Sequence, residues 1–173
     1  FGNTGLLTVV EFGEGTTVIG SEAFMADDER VSLTEVILPD GVKFIGDRAF
    51  ANCSSLSGIN LNGTEVVGEY AFYGCTSLKD VDFKTLVTID EAAFSDIAAL
   101  TAELDNAVNV GAYAFNSSKL EKVTFGALRT IGKYAFSYTQ LTEVILPSSF
   151  DGVYADYEWT EYDEKGRLDE VKN

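Results

Sequence analysis

Ile131–Phe136 reads "IGKYAF", and the chain writes close relatives of it five more times. "IGSEAF" ends at Phe24, "IGDRAF" at Phe50, "VGEYAF" at Phe72, "IDEAAF" at Phe94 and "VGAYAF" at Phe115. The closing phenylalanines are therefore spaced 26, 22, 22, 21 and 21 residues apart. A near-constant period in the low twenties is the mark of a solenoid, in which each unit buries its apolar face against the next. Catalytic sites are not written six times in one chain, so the hexamer is a building unit.

A second motif runs in phase with the first and reads apolar-x-x-apolar-x-apolar. It appears as Leu7, Val10, Phe12; Leu33, Val36, Leu38; Leu56, Ile59, Leu61; Leu78, Val81, Phe83; Leu120, Val123, Phe125; and Leu141, Val144, Leu146. "LTEVILP" occurs verbatim at 33–39 and at 141–147. The fifth unit, "ALTAELDNAVNVG", is degenerate; counting back from Val110 sets Leu104 in the place of Phe125 and Ala102 in that of Val123. The last two apolar positions of each motif are two apart, so both side chains of a strand point to one face. This pattern predicts one short strand per unit, with successive strands forming a parallel sheet. About six and a half coils at roughly 4.8 Å each span roughly 30 Å.

Within the hexamer, Ile or Val fills the core. Gly20, Gly46, Gly68, Gly111 and Gly132 are expected to allow a bend, with Asp90 in that place once because Asp tolerates left-handed backbone better than most residues. Two solvent-side residues follow, then an Ala that keeps the wall thin, then a Phe that enters the interior and stacks on the Phe of the next coil.

With the motifs assembled as L-x-x-I-x-L-P … I-G-x-x-A-F-x-x-C-x-x-L, residues 6–147 resemble the BspA-like (Treponema pallidum-type) leucine-rich repeats. "IGDRAFANCSSLSGINL" and "VGEYAFYGCTSLKDVDF" carry the likeness. The resemblance implies an α/β-type leucine-rich repeat solenoid, right-handed and curved, β-rich with little helix, its parallel sheet on the concave face. It also implies an exported or cell-surface bacterial protein, some relatives of which act in adhesion. The departures are the degenerate fifth coil, the insertion "MADDERVS" (25–32), and the loss of Cys after the third coil.

Composition narrows the function. The chain has 173 residues and a formal net charge of −16, which disfavours nucleic acid and anionic membrane surfaces and suits a neutral or basic partner. It contains no histidine, which removes Ser-His-Asp and Cys-His catalysis and His-ligated metal sites. No run of about 18 apolar residues exists to span a membrane. No catalytic residue, metal site or cofactor is assigned.

The residues that differ between copies are the candidates for binding. One outward ladder of the strands is Glu11, Ile37, Asn60, Asp82, Glu103, Thr124 and Ile145; its neighbour is Val9, Glu35, Gly58, Asp80, Ala102, Lys122 and Glu143. Solenoids bind partners on their concave surfaces. From these ladders Glu11, Glu35, Ile37, Asn60, Asp80, Asp82, Glu103, Lys122, Thr124, Glu143 and Ile145 are taken as the contact set for a protein or glycan; the other reading is a solvated sheet face. Asp80, Asp82 and Glu103 lack any Ca²⁺-loop signature. Tyr70, Tyr113 and Tyr134 share the fourth hexamer position and form a second candidate surface, against which stands a partly buried edge ladder. Lys119, Lys122, Arg129 and Lys133 make a basic group in the sixth coil that orients a partner or offsets nearby carboxylates. Cys53 and Cys75 share one repeat position, three after the Phe, and are expected as buried thiols; strand spacing alone does not supply disulfide geometry.

Two parts are expected: a solenoid over 1–147, and a cap, β-hairpin or start of a following module over 148–173. In the tail "YEWTEYDEKGRLDEV" alternates and turns at Gly166, a hairpin pattern. Sequons occur at Asn52, Asn62 and Asn116. The expectation for function is a non-enzymatic interaction module. Its alternatives are a spacer that carries another domain and a carboxylate-dependent enzyme acting on glycans.

Overall fold

The computed structural model describes residue 1, residues 5–26 and 32–150, and the backbone of 160–162 and 168–170. It is a β-solenoid of about six turns, and no helix occurs among the described residues.

Each turn contributes two strands rather than the one expected. The longer set is β1 (Val9–Glu11), β3 (Glu35–Ile37), β5 (Gly58–Ile59), β7 (Asp80–Val81), β9 (Thr101–Leu104), β11 (Lys122–Phe125) and β13 (Glu143–Ile145). The second set is β2 (Val18–Ile19), β4 (Phe44–Ile45), β6 (Val66–Val67), β8 (Thr88–Ile89), β10 (Asn109–Val110) and β12 (Thr130–Ile131). All pairings within these sets are parallel. The short strands escape a search for alternation because each is only two residues long. Their first residue faces out and their second is core, as with Phe44 and Ile45.

The short strands form one unbroken six-stranded sheet, whereas the longer ones divide into β1-β3-β5-β7 and β9-β11-β13. A continuous long-strand sheet was expected; the break falls between β7 and β9. There the run from Phe to the next core position shortens, from Phe72–Leu78 to Phe94–Ala99, and a Leu becomes Ala. Lys79 and Asp80 donate to Ser57 O, and Glu121 and Lys122 to Leu100 O, but Leu100 and Thr101 make no such bond to coil four. Val81, at the break, is half-buried, while Val36, Ile59 and Val123 in the same ladder are buried.

The six closing phenylalanines stack as expected, with centroids 5.2–5.4 Å apart and planes within 13°. Phe1 extends the column onto Phe24 at 5.5 Å. Phe50, Phe72, Phe94 and Phe115 are fully buried. Each such ring contributes roughly 1.5–3 kcal/mol of burial.

The hexamer glycines do not make the bend assigned to them. None of the five has positive φ; that conformation falls instead on the fourth hexamer position, at Glu22, Arg48, Tyr70, Ala92, Tyr113 and Tyr134, with φ of 51–58°. A second left-handed position follows two residues after the Phe, at Asn52, Gly74, Asp96, Ser117 and Tyr138. From Phe50 onward, two left-handed residues around each ring turn the wall through its corner. The glycines are required by close approach of coils. A Cβ on Gly46 would lie 2.6 Å from Ser21 N and one on Gly111 2.6 Å from Asp90 C, whereas Gly20, in the first coil, has open space.

Cys53 and Cys75 are free and buried. Each thiol donates to the carbonyl of the Phe one coil earlier, Cys53 Sγ to Phe24 O and Cys75 Sγ to Phe50 O, both 3.2 Å. Burial pushes the Cys53 thiol up to about 12 and raises Cys75 as well, so neither is a ready nucleophile. Ser118 holds the same position in the fifth coil, and its buried hydroxyl has no hydrogen-bond partner among the described residues.

At the end of the solenoid Phe150 N–H donates to Pro147 O at 2.9 Å, repeating the turn in which Val42 N–H donates to Pro39 O at 3.2 Å. Phe150 packs against the core. Beyond it, β14 (Thr160–Tyr162) and β15 (Leu168–Glu170) pair antiparallel. The turn read at Gly166 and most of the "MADDERVS" insertion lie outside the described residues.

Candidate functional site

The long strands set two rows of side chains on the outer face of the solenoid. Register places Val9, Glu35, Gly58 and Asp80 side by side in one row and Thr101, Lys122 and Glu143 in its continuation. Ala102 was read as a member of this row; it is core, paired with Val123 and 2% exposed, and Thr101 faces out in its place. The other row contains Glu11, Ile37, Asn60, Asp82, Glu103, Thr124 and Ile145. All eleven candidate residues are exposed or half-exposed.

Their electrostatic states differ along the solenoid. Across the break Lys84 Nζ, in coil four, meets Glu103 Oε2 on β9 at 3.0 Å, and after it Lys122 Nζ meets Glu143 Oε2 at 3.0 Å. Glu103 holds the Lys84 ammonium above its ordinary range, with Asp82 and Asp105 adding to the effect. Among the described residues no three Asp, Glu, His or Cys side chains converge to hold a metal. Before the break, Glu11, Glu35 and Asp80 form no ion pair with another described residue. Asn60 and Asp82 have a local task. Their side-chain oxygens accept from Asn62 N at 2.9 Å and Lys84 N at 3.1 Å, which closes the turn after the strand.

The missing side chain of Gly58 opens a shallow groove of about 430 Å³ lined by Thr34–Leu38 and Ser57–Asn60. Glu35 and Ile37, the latter 42% exposed, stand on its β3 side, while Asp80, next to Gly58 by register, lies outside its lining. Space is tight at the floor: a Cβ on Gly58 would lie 3.2 Å from both Asp80 Cβ and Asp80 O.

The tyrosine surface is largely self-satisfied. Tyr70 OH donates to Glu91 Oε1 at 2.8 Å; that bond, burial and the Glu91 charge raise its pKa. Arg48 sits 5.1 Å over the Tyr70 ring, Tyr113 and Tyr134 lie 5.3 Å apart at 34°, and Lys133 sits 4.9 Å from the Tyr134 ring centroid. The basic group of the sixth coil is spread over different strands, with Lys122 on β11 and Arg129 just before β12.

Two features were missed. Val18, Phe44 and Val66 stand adjacent on the outer face of the short-strand sheet, and Val18 and Phe44 are exposed. The first apolar residue of each Val/Phe-Ile/Val pair was the available signal. The second is a 250 Å³ depression lined by Glu69, Asp90, Glu91, Asn109, Thr130 and neighbouring residues. Asp90 there takes the usual glycine place; burial, with Glu69 and Asp47, raises its pKa.

The geometry agrees with what the chain resembles elsewhere. It is similar in structure to a leucine-rich repeat protein from Bacteroides ovatus ATCC 8483, with a TM-score of 0.67 and 22% identity over 91% of this chain and 46% of that one. It is also similar to the pneumococcal vaccine antigen PcpA, with a TM-score of 0.56 and 19% identity over 83% of this chain and 51% of that one. A third similar structure is the T. pallidum leucine-rich repeat protein, with a TM-score of 0.53 and 20% identity over 84% of this chain and 72% of that one. The chain thus spans about half the length of the first two. No curated protein sequence matches it at a significant level. The sequence model of the BspA type leucine rich repeat region matches residues 1–102 and 61–157 in six copies. The chain belongs to the BspA-type leucine-rich repeat family.

Proposed function

We propose that this chain is a non-enzymatic interaction module of an exported or surface-exposed bacterial protein, and that it binds a protein or glycan partner on the long-strand face. One observation carries the reading: the side chains that vary between copies are gathered, exposed and in register, on that face. The repeated residues are buried beneath them. Constant interior and variable exterior are what a recognition surface built on repeats requires. Three carboxylates on its first four strands that have no ion pair among the described residues direct the choice toward a basic or neutral partner. The similarity to a vaccine antigen supports exposure at a bacterial surface. The tail after the solenoid acts as a cap or leads into a further module.

The tyrosine corner is a secondary surface for contact, formed by Tyr70, Tyr113 and Tyr134. Among the described residues no helix is long and apolar enough to cross a membrane. Nothing in the chain suggests a nucleic-acid surface, given 28 acidic against 12 basic residues.

The test is retention of partners from host and bacterial surface extracts by three immobilised forms: wild type, Asp80→Lys/Asp82→Lys, and Glu22→Lys on the corner. The reading expects a partner held by wild type and Glu22→Lys and lost from the double variant. A spacer predicts no partner whose retention depends on Asp80 and Asp82.

A further inference from the structure

We infer that Asn62–Gly63 is a self-modification site, where the folded chain converts its own Asn62 amide into a carboxylate. The reaction is independent of what the long-strand face binds, and it consumes only water.

Asn62 and Gly63 occupy the middle of the turn after β5, which Thr64 N–H closes by donating to Leu61 O at 2.8 Å. They are the one Asn-Gly pair in the chain. Asn62 is exposed, so water and hydroxide reach it. Gly63 has no side chain to shield its own nitrogen, and its N–H donates to no group among the described residues. Hydroxide takes that proton, and the Gly63 nitrogen attacks Asn62 Cγ within the same turn. The N–Cγ bond forms, the Cγ–Nδ2 bond breaks, and the departing nitrogen takes a proton from water and leaves as ammonia. Water then opens the cyclic imide at either carbonyl, giving aspartate or isoaspartate. No oxidant or reductant enters.

The other described asparagines lack this combination. The amides that follow Asn52, Asn106 and Asn116 are tied down, Cys53 N–H to Phe50 O, Ala107 N–H to Leu104 O and Ser117 N–H to Ser137 O. Asn60 and Asn109 precede Leu61 and Val110, whose side chains crowd the attacking nitrogen. The consequence of the reaction is set by the coil before. Asn62 Nδ2 donates to Asp40 Oδ1 at 3.2 Å, and Asp40 stands in the equivalent turn of coil two. A carboxylate at position 62 only accepts, so this attraction becomes repulsion between two like charges. Isoaspartate also lengthens the main chain inside a turn whose Gly63 packs against the Asp40 carbonyl. Thr64 Oγ1 of the same turn is anchored on Val42 O at 3.1 Å. Either product weakens the joint between coils two and three.

The test is peptide mapping by mass spectrometry of the folded chain, held at physiological temperature in mildly acidic and mildly alkaline buffer. The peptide containing Asn62 should gain about 1 Da as the amide becomes a carboxyl group, faster in the alkaline buffer. It should also accept methyl groups from an isoaspartate-specific methyltransferase. Asn62→Gln, whose longer side chain closes a less favourable ring, should convert at least about tenfold more slowly, a barrier difference of about 1.4 kcal/mol or more. Asn62→Asp, with circular dichroism checking its fold, should melt below wild type at neutral pH. That gap should narrow on acidification, as the facing carboxylates take up protons. Mass gain centred on another asparagine, or equal rates in wild type and Asn62→Gln, overturns the inference. So does a folded chain that gains no mass while the urea-unfolded chain converts, because the fold would then protect the pair. A melting temperature of Asn62→Asp at or above wild type at neutral pH overturns the consequence assigned to the joint.

Discussion

Coils four and five meet twice, and the two meetings differ. On the short-strand side Val108 and Asn109 donate to Val87 O at 2.9 and 3.2 Å, as their counterparts do in the neighbouring coils. On the long-strand side β7 and β9 form no ladder, and the coils meet there through Ala98 N–H donating to Leu78 O at 2.9 Å. The molecule tolerates the break because the hexamer side continues through it: Phe72, Phe94 and Phe115 stack without interruption. Phe83 and Phe94 also meet edge-on at 5.1 Å within the fourth coil. The hexamer side holds the coils in series, and this leaves the long-strand side free to vary in sequence, charge and even connectivity.

The largest expected effect breaks the hexamer side at this point. Phe94→Ala removes a fully buried ring that stacks on both sides and should cost about 3–5 kcal/mol in urea unfolding. Thr101→Ala, on the exposed row of β9, should cost less than about 0.5 kcal/mol. Comparable costs at the two positions would mean that the sides share the load.

Next come the glycines. A Cβ on Gly132 runs into the backbone of Gly111 and Ala112, whereas one on Gly20 meets nothing within 4 Å. Gly132→Ala should therefore destabilise by about 1–3 kcal/mol, as overpacking does, and Gly20→Ala should be close to neutral. If conformational freedom rather than approach set the requirement, the two would respond alike.

A gain is expected at the corner. Asp96 holds φ of 67° where the coil before has Gly74. Left-handed backbone costs a non-glycine residue roughly 1–2 kcal/mol, against roughly 0.5–1 kcal/mol of extra chain entropy for glycine. Asp96→Gly should thus raise stability by up to about 1 kcal/mol on these figures, read as a higher melting temperature.

The smallest effect is one of pH. Asp90 has its pKa raised by burial, then by Glu69 and Asp47. The folded state therefore binds this proton more tightly than the unfolded state, and the group's penalty is absent below its unfolded pKa. It develops as pH rises to the raised folded value and persists at neutral pH. Asp90→Asn should accordingly melt higher than wild type at pH 7, and the difference should shrink on acidification into the carboxylate range. A difference that grows on acidification would show the opposite linkage.

Much of this was legible in the residues. The ring column follows from six phenylalanines in one period, and the register of Leu104 with Phe125 follows from counting back through a degenerate coil. The same count set Ala102 opposite Val123, yet Ala102 was also carried into the outward row, where period two forbids it. The sheet break left little trace: the run from Phe94 to Ala99 is no shorter than Phe115–Leu120 or Phe136–Leu141, where the ladder closes. The second strand had little, because two residues cannot display alternation. The left-handed corner was hidden most deeply: glycine suggested itself as the bending residue, but Tyr70, Tyr113 and Tyr134 take that conformation, held there by bonds to the next coil such as Tyr70 N–H to Glu91 O at 2.8 Å. On the binding face, residue identities gave the rows, but pairing of Lys84 with Glu103 and the groove at Gly58 required the coils to be stacked.

Native-state hydrogen exchange tests the contrast most directly. The Val108 and Asn109 amides, bonded across coils four and five, should exchange on the order of a hundredfold more slowly than those of Leu100 and Thr101, which lack such bonds. Glu121 and Lys122, bonded one coil later to Leu100 O, should be protected again. Equal protection of Leu100, Thr101, Glu121 and Lys122 would contradict the account, because it would show a long-strand ladder closed through the whole solenoid.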